Sequence, residues 1–326
     1  MRGLIRGVFR WLGRILAVLI VAAGALWAFG PYEPLDLTAR PGDVTVEQFV
    51  TREAVFADLR AGEEKRVIYA HASHEKTPIS ILYLHGFSAS SEEIRPVPDK
   101  LAEALGANLV YTRFAGHGRT SAEAMAQADA TDWMLDAAEG LAVARAVGER
   151  VIVLATSTGG SIATLAMTQS DLAEGVAGVA MVSPNFAVNN PAAMLLTFPA
   201  ARYWVPALVG ERRSFEPRNA GQAAHWTTDY PVLATLPMGR VAQAARQADH
   251  GKISVPLFLF FNDGDRVVRA EVTREVAARW GGPVTQVMAP AGADVDPYLH
   301  VIAGDIMSPG NTAGAVAALT QWAAGL

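Results

Sequence analysis

Strand-like and helical segments alternate along most of this chain of 326 residues, and the alternation is the strongest constraint on its fold. Helical patterns such as residues 132–146 and 271–280 separate short apolar runs. Such alternation is typical of a mainly parallel, doubly wound sheet with helices on both faces. Because 51% of the residues are apolar, the chain can bury one large core. The predicted strands are residues 66–71, 79–84, 108–113, 151–155, 176–182, 257–261 and 284–288.

The fourth predicted strand ends in a sharp turn that carries a serine. Residues 151–155 lead directly into Thr156-Ser157-Thr158-Gly159-Gly160, and an apolar helical pattern follows. A serine hydroxyl is a weak nucleophile, so it must stand where a base can reach it, and a strand–turn–helix elbow achieves this. Small residues, Ala155 and Gly159, flank the serine at the required spacing. A helix capped by Ser or Thr has the same local pattern, so the turn alone does not establish a nucleophile.

An acid and a histidine follow this serine further along the chain. The apolar run 257–261 ends in Asn262-Asp263-Gly264-Asp265, and a doubly wound sheet places functional groups at the carboxyl ends of its strands. Of the seven histidines, only His300 comes after these acids. Ser157, Asp265 and His300 therefore follow one another in the chain order serine, acid, histidine. This order is the one expected when the serine of such an elbow is the nucleophile. Asp263 competes with Asp265 for the role of the acid, and each could instead be a turn former.

A second turn supplies candidate donors for an oxyanion. The run 79–84 ends at His85-Gly86-Phe87-Ser88. Acyl transfer places negative charge on the carbonyl oxygen, so two backbone N–H groups must already point at that position. We expect one from Thr158, at a helix N-terminus where amides are unpaired. The other is expected from Phe87, because Gly86 has no side chain that would keep the loop from bending inward.

Together these motifs resemble the α/β-hydrolase superfamily, in particular its branch of serine hydrolases similar to monoglyceride lipases, lysophospholipases and serine aminopeptidases. The resemblance covers about residues 44–326 and implies an α/β-hydrolase fold. The family's D-x-V-V pattern favours Asp265 as the acid, since Val267-Val268 follow it. Ala155 departs from the glycine of the family pattern G-x-S-x-G. The matching segments are His85-Gly86-Phe87, residues 113–120, residues 155–160, residues 265–268 and His300.

The resemblance also implies a reaction. Ser157 would form an acyl-enzyme with Asp265 and His300 as its partners, and no metal or organic cofactor would be needed. We expect a carboxylesterase or lipase that acts on acylglycerols, lysophospholipids or other short acyl esters. Two alternatives remain, namely an aminopeptidase or amidase in which Asp229 or Glu216 binds a free amine, and a non-catalytic binding module on the same fold.

The segment 113–120 resembles the R-G-H-G-x-S turn of the family. In the family this turn shapes the site and does not react. His117 is therefore not predicted to be catalytic.

About seventy residues between Val182 and Val255 interrupt the alternation of strands and helices. A compact crossover needs only one helix, so residues 186–254 are predicted to be an insertion that lies above the serine as a cap or lid. Its apolar residues either line an acyl pocket or form a small core of the cap, and both can hold. The most prominent are Met194, Leu195, Leu196, Phe198, Tyr203, Trp204 and Trp226.

Residues 1–30 have the composition of a membrane anchor. Arginines at positions 2, 6, 10 and 14 share one helical face, and residues 15–30 then contain no charge. These sixteen residues span about 24 Å as a helix. That is slightly less than the hydrocarbon core of about 30 Å, and snorkelling by Arg14 together with an interfacial Trp27 would make up the difference.

The positive-inside rule places the amino terminus in the cytoplasm and the catalytic domain on the extracytoplasmic side. The alternative is a signal peptide cleaved near Ala23-Gly24-Ala25, which would leave a secreted or periplasmic protein. The apolar residues 26–29 continue past that site and favour the anchor.

The expected organisation is therefore a basic segment and anchor at residues 1–30, a linker at 31–43 and an α/β-hydrolase domain at 44–326 with its cap at about 186–254. The expected partners are a small acyl ester and, through residues 1–30, a lipid bilayer. A net charge of −5 and the lack of a basic stripe with aromatic residues argue against nucleic acid. His71 and His74 form a His-x-x-His pattern, but no cysteine or clustered acid joins them, so a solvated turn is favoured over a metal site.

Overall fold

The computed structural model describes residues 2–326, with the backbone alone for residues 2–6. Met1 and the side chains of Arg2 and Arg6, which belong to the predicted basic segment, lie outside the described residues. The α-helices are α1 Arg2–Phe29, α2 Val46–Thr51, α3 Val97–Leu105, α4 Ala130–Val147, α5 Thr158–Met167, α6 Ser170–Ala173, α7 Ala201–Val209, α8 Ala220–His225, α9 Thr235–Gln247, α10 Ala270–Arg279 and α11 Pro309–Ala323. The strands are β1 Arg66–Ile68, β2 Thr77–Leu84, β3 Asn108–Tyr111, β4 Gly148–Thr156, β5 Val176–Val182, β6 Arg212–Ser214, β7 Asp229–Pro231, β8 Leu257–Phe261 and β9 Val284–Met288.

Seven of these strands form one sheet in the order β1-β3-β2-β4-β5-β8-β9. Only β1 runs antiparallel to its neighbour within this sheet, and every other pair is parallel. Each of the seven predicted strands is present, which confirms the mainly parallel α/β fold. The predicted first strand was too long, because β1 ends at Ile68. Beyond it, the amide of Ala70 donates to the side chain of Asn108 at 2.9 Å and leaves the ladder of backbone bonds.

Helices cover both faces of the sheet. Alternate side chains of a strand point to opposite faces, and β2 illustrates the result. Leu82 and Leu84 pack in one core cluster with residues of α4, α5 and α10. Ile81 and Tyr83 pack in a second cluster with residues of α3 and α11. Strands buried on both faces are almost continuously apolar, which is why these segments were recognisable in the sequence.

The segment predicted as an insertion, residues 186–254, contains α7, α8, α9 and the antiparallel hairpin of β6 and β7. We refer to it as the cap segment. Around α7 it has a small core of its own, formed by Ala201, Val205, Val232 and Leu236. Its last helix, α9, packs against α5 and takes part in the main core.

The amino-terminal helix α1 stands apart from these layers. Its residues Gly7–Phe29 form a 23-residue stretch with a mean hydropathy of 2.1, and none of it is buried. By length and composition alone this helix is able to cross a membrane, although a signal sequence meets the same criteria. The following residues lie against the body, where the amide of Asp36 donates to the hydroxyl of Thr131 at 3.0 Å.

Candidate active site

The predicted serine turn lies between β4 and α5. Ser157 has φ of +50°, a left-handed conformation that a residue with a side chain adopts only when its surroundings enforce it. Two backbone bonds do so, since the amide of Ser157 donates to the carbonyl of Val182 and the amide of Asn185 donates to the carbonyl of Ser157, both at 2.9 Å. Gly159 is also required, because a Cβ there would overlap the carbonyl oxygen of Leu84.

The structure brings Ser157, His300 and Asp265 into one chain of contacts. Nε2 of His300 lies 3.0 Å from Oγ of Ser157, and Nδ1 lies 2.8 Å from Oδ2 of Asp265. The other carboxylate oxygen, Oδ1, accepts the amides of Val267 at 2.7 Å and Val268 at 2.9 Å.

The competing acid, Asp263, lies elsewhere. Its exposed carboxylate pairs with Arg274 at 2.6 Å. Of the two candidates, only Asp265 contacts the histidine.

Asp296 orders the loop that carries His300, and sequence reasoning did not identify it. Its Oδ2 accepts the amides of His300 at 3.2 Å and Val301 at 3.1 Å, and its Oδ1 accepts the amide of Tyr298 at 3.1 Å. The loop is strained, since Leu299 has φ of +54°. Aspartate side chains commonly bind backbone amides a few residues on, so Asp296-Pro297 was a usable signal for this turn.

The surroundings of His300 suit a group that accepts a proton. Burial alone would lower its pKa, but the carboxylate of Asp265, through its charge and its hydrogen bond, raises the pKa above the usual value. The charges of Glu93 and Asp296 act in the same direction.

Glu93 is a buried carboxyl group beside the site that sequence reasoning also missed. It is 2% exposed and lines the same cavity as Ser157 and His300. Its Oε2 accepts the amide of Gly86 at 2.6 Å and the hydroxyl of Tyr83 at 3.3 Å. Burial raises the pKa of Glu93 to about 7 in spite of these bonds. A Cβ at position 86 would lie 2.6 Å from Oε1 of Glu93, so the loop approaches the carboxyl only because residue 86 is glycine.

The two predicted oxyanion donors, the amides of Phe87 and Thr158, both belong to residues that line this cavity. Thr158 is the first residue of α5, where helix amides have no partner within the helix. Within residues 2–326, neither amide donates a hydrogen bond to another protein group. Both are therefore available to an oxygen atom bound close to Ser157.

Two further histidines near the site are part of the structure that surrounds it. His85 and His117 are buried, with ring centroids 5.0 Å apart. Burial lowers the pKa of His85 to about 4, and it also lowers the pKa of His117 well below the usual value. Nε2 of His85 accepts the amide of Phe114 at 3.1 Å, which holds the turn predicted at residues 113–120.

Comparison with known proteins identifies the family of the chain. Residues 75–292, about two thirds of the chain, match the family described as serine aminopeptidase, S33. The chain belongs to this family. The protein is accordingly a serine hydrolase of the α/β-hydrolase superfamily, which confirms the resemblance seen in the sequence. No curated protein sequence matches the chain.

Solved structures with the same fold include lipases and esterases. A structure from work on the metagenome-derived lipolytic enzymes LipS and LipT has a TM-score of 0.64 at 17% identity, covering 82% of this chain and 98% of the other. The monoacylglycerol lipase of Paleococcus ferrophilus has a TM-score of 0.55 at 14% identity, with 79% and 96% coverage. A soluble variant of the Saccharomyces cerevisiae monoglyceride lipase has a TM-score of 0.56 at 10% identity, with 79% and 89% coverage. At these identities the similarity shows the fold alone.

In this S33-family protein, the candidate site opens into a cavity of about 570 Å³ that is lined by residues of the body and of the cap segment. Apolar and aromatic side chains dominate its cap side, including Leu195, Leu196, Val205, Phe215, Trp226 and Tyr230. Leu196 and Val205 line the cavity and also pack in the small core of the cap segment. Among the described residues, no group of three or more His, Cys, Asp or Glu side chains is arranged to hold a metal ion.

Proposed function

We propose that this S33-family hydrolase is a carboxylic ester hydrolase of the lipase or esterase type, acting through an acyl-enzyme on Ser157. The observation that carries the proposal is the chain of contacts from Ser157 to His300 to Asp265, at 3.0 and 2.8 Å. Ser157 and His300 line a mostly apolar cavity. Such a cavity suits the acyl group of an acylglycerol, a lysophospholipid or a smaller ester.

In the proposed reaction, Oγ of Ser157 attacks the ester carbonyl carbon while Nε2 of His300 accepts the hydroxyl proton. Asp265 orients the imidazole and stabilises its protonated form. The amides of Phe87 and Thr158 donate to the oxyanion of the tetrahedral intermediate. The carbon–oxygen bond to the leaving group then breaks, and His300 returns the proton to the departing alcohol.

Deacylation repeats these steps with water. His300 removes a proton from a water molecule, which attacks the acyl carbon, and the acid is released as Oγ of Ser157 regains its proton. Every step uses groups of this chain, so the proposal requires no metal or organic cofactor.

The family name favours one second candidate, hydrolysis of a peptide bond beside a free amine. Such a substrate needs an anionic group in the cap segment. Of the two predicted candidates, Asp229 pairs with Arg212 at 3.1 Å, whereas Glu216 lines the cavity and is the better placed. The apolar character of the remaining lining favours the ester.

Two assays test the proposal. A fluorophosphonate probe should label the wild-type protein and fail to label Ser157→Ala, and labelling that persists in the variant would exclude Ser157 as the nucleophile. A panel of p-nitrophenyl esters of increasing chain length, run beside aminoacyl-anilides, then distinguishes the candidates. Turnover of the anilides alone would favour the aminopeptidase, and inactivity on both classes would favour a binding module.

We further propose that α1 anchors the protein in a membrane, with the catalytic body on the extracytoplasmic side. The exposed apolar stretch Gly7–Phe29 supports this proposal. Intact-mass measurement of the protein from membranes provides the test. A mature chain that begins near residue 26 would replace the anchor with a cleaved signal peptide.

A further inference from the structure

The carboxyl end of α1 is attached to the cap segment. The ring of Trp27 packs edge-on against Phe198, with centroids 5.3 Å apart. Directly after the helix, the carbonyl of Pro31 accepts the amide of Ala200 at 2.7 Å. Arg202 then pairs with Glu33 at 2.7 Å, and the side chain of Glu33 is nearly inaccessible. The end of α1 and the start of α7 therefore lie side by side.

This attachment sets the level of the cap segment relative to a membrane. The inference rests on the proposed function, in which α1 crosses the bilayer. Trp27 lies two residues before the end of the helix at Phe29, a distance of about 3 Å along its axis. Tryptophan at such a position sits at the level of the lipid headgroups. Phe198 contacts Trp27, and the start of α7 contacts the residues that directly follow α1, so both lie close to this level.

The outward side of α7 is apolar. Tyr203 is 77% exposed and Leu208 is 68% exposed, and Met194 on the preceding turn Pro191–Thr197 is similarly open. The one charged residue of α7, Arg202, is already paired with Glu33. A surface helix in water normally presents a charged face, and contiguous exposed apolar residues mark an interaction surface.

The cavity opens beside this surface. Val209 and Phe215 line the cavity and are also partly exposed, so they mark a section of its mouth. Val209 is the last residue of α7 and follows Leu208 directly. The mouth of the cavity and the apolar side of α7 thus share a border.

We propose that the apolar side of α7, together with the turn Pro191–Thr197, rests on the bilayer that α1 crosses, so that the cavity takes acyl esters directly from the lipid. Continuity with α1 identifies the bilayer as the occupant of this surface. A second copy of the chain is the competing occupant, and it predicts a different result in the test.

Single-cysteine labelling tests the proposal, because the natural chain contains no cysteine. The full-length variants Tyr203→Cys, Leu208→Cys, Leu16→Cys and Val55→Cys each carry one environment-sensitive fluorophore in phosphatidylcholine vesicles that contain a nitroxide-labelled lipid. Leu16 reports on α1 itself. Val55 is the matched control, since it is an apolar residue of the body that is 76% exposed. We expect the lipid nitroxide to quench the labels at 16, 203 and 208 and to spare the label at 55.

Each other outcome overturns a defined part of the proposal. Quenching at 16 with none at 203 and 208 would refute docking of α7 and leave the anchor intact. No quenching at 16 would refute the anchor, and docking with it. Labels at 203 and 208 that escape quenching by the lipid nitroxide, but become quenched as the protein is diluted into more lipid, would assign the surface to a second copy. None of these readouts involves ester hydrolysis, so failure of the proposed chemistry is detected separately.

A kinetic arm measures the consequence for substrate entry. The double change Tyr203→Glu with Leu208→Glu should lower the rate on a bilayer-embedded long-chain ester by roughly tenfold relative to water-soluble p-nitrophenyl acetate, because acidic side chains oppose burial in the lipid interface. Val55→Glu should leave this ratio unchanged. An equal ratio in the wild type and the double variant would contradict entry from the membrane.

Discussion

Replacing Asp265 with asparagine tests how the acid controls His300. In the native site Oδ1 of Asp265 accepts the amides of Val267 and Val268, at 2.7 and 2.9 Å, while Oδ2 faces Nδ1 of His300 at 2.8 Å. In the variant the side-chain oxygen must still accept the hydrogen bonds of the two backbone amides, because an NH₂ group in its place would set a third donor against two donors. The NH₂ group therefore faces Nδ1, which has to be the unprotonated nitrogen. The ring proton then sits on Nε2, where it prevents His300 from accepting the proton of Ser157.

The size of the effect follows from this tautomer. The equivalent change in a serine-protease triad lowers kcat by about 10⁴, through the same wrong tautomer. At about 1.36 kcal/mol for each factor of ten, this equals about 5 kcal/mol of activation free energy. Rotating the amide to restore the tautomer would forfeit two backbone hydrogen bonds, at about 0.5–1.5 kcal/mol each, and create repulsion between donors. The rotated form is therefore a minor population.

The assay compares kcat on a p-nitrophenyl ester for the wild type, Asp265→Asn and the control Asp263→Asn. The carboxylate of Asp263 pairs with Arg274 on the surface, and an exposed pair contributes about 0–1 kcal/mol to stability. The control should therefore retain nearly full kcat. Thermal unfolding of each variant checks that the fold is intact. A folded Asp265→Asn protein that keeps more than about a tenth of the wild-type kcat would refute the tautomer argument.

Three further results are expected. The value of kcat/KM should rise with pH through the pKa of His300, with a midpoint above the usual value of about 6.5, because the neighbouring carboxylates stabilise the protonated ring. Glu93→Gln keeps an acceptor for the amide of Gly86 but removes a negative charge, so this midpoint should move to lower pH, and an unmoved midpoint would exclude the electrostatic role. Gly159→Ala forces a Cβ onto the carbonyl oxygen of Leu84 and should lower the free energy of unfolding by about 1–3 kcal/mol. The control Gly42→Ala meets no neighbouring atom, and chemical denaturation should find it close to the wild type.

The strands of the sheet and the positions of Ser157 and Asp265 after two of them were predictable because their signals are local. A buried strand is a short apolar run, and a parallel sheet brings the carboxyl ends of its strands to one edge. Ser157 and Asp265 follow two such strands, β4 and β8, so their proximity required no knowledge of the tertiary structure. The end of β1 was not predictable, since a bond from Ala70 to the side chain of Asn108 determines it.

Glu93 could not be identified from the sequence, because its environment depends on burial. Glu93 belongs to the run Ser90-Ser91-Glu92-Glu93, which has the composition of an exposed turn. Nothing in its neighbours indicates that Tyr83 and Gly86 enclose its carboxyl group. The contact between Trp27 and Phe198 is of the same kind, because it joins segments separated by more than a hundred residues.

Three carboxyl groups surround His300, and their hydrogen bonds assign them different tasks. Asp296 directs its oxygens to backbone amides of the loop, so its function is to position His300. Asp265 divides its oxygens between the loop after β8 and the imidazole, so the ring of His300 is held against a fixed element. Glu93 accepts the amide of Gly86, and among the described residues it forms no hydrogen bond with Ser157 or with the ring of His300. With its pKa raised to about 7, Glu93 changes charge near neutral pH. The ionised form of Glu93 favours protonation of the histidine, which opposes the proposed action of His300 as a base. This coupling is why a substitution at Glu93 should move the pH dependence of the proposed reaction. Asp265→Asn should instead lower kcat by about 10⁴, through the wrong tautomer of His300.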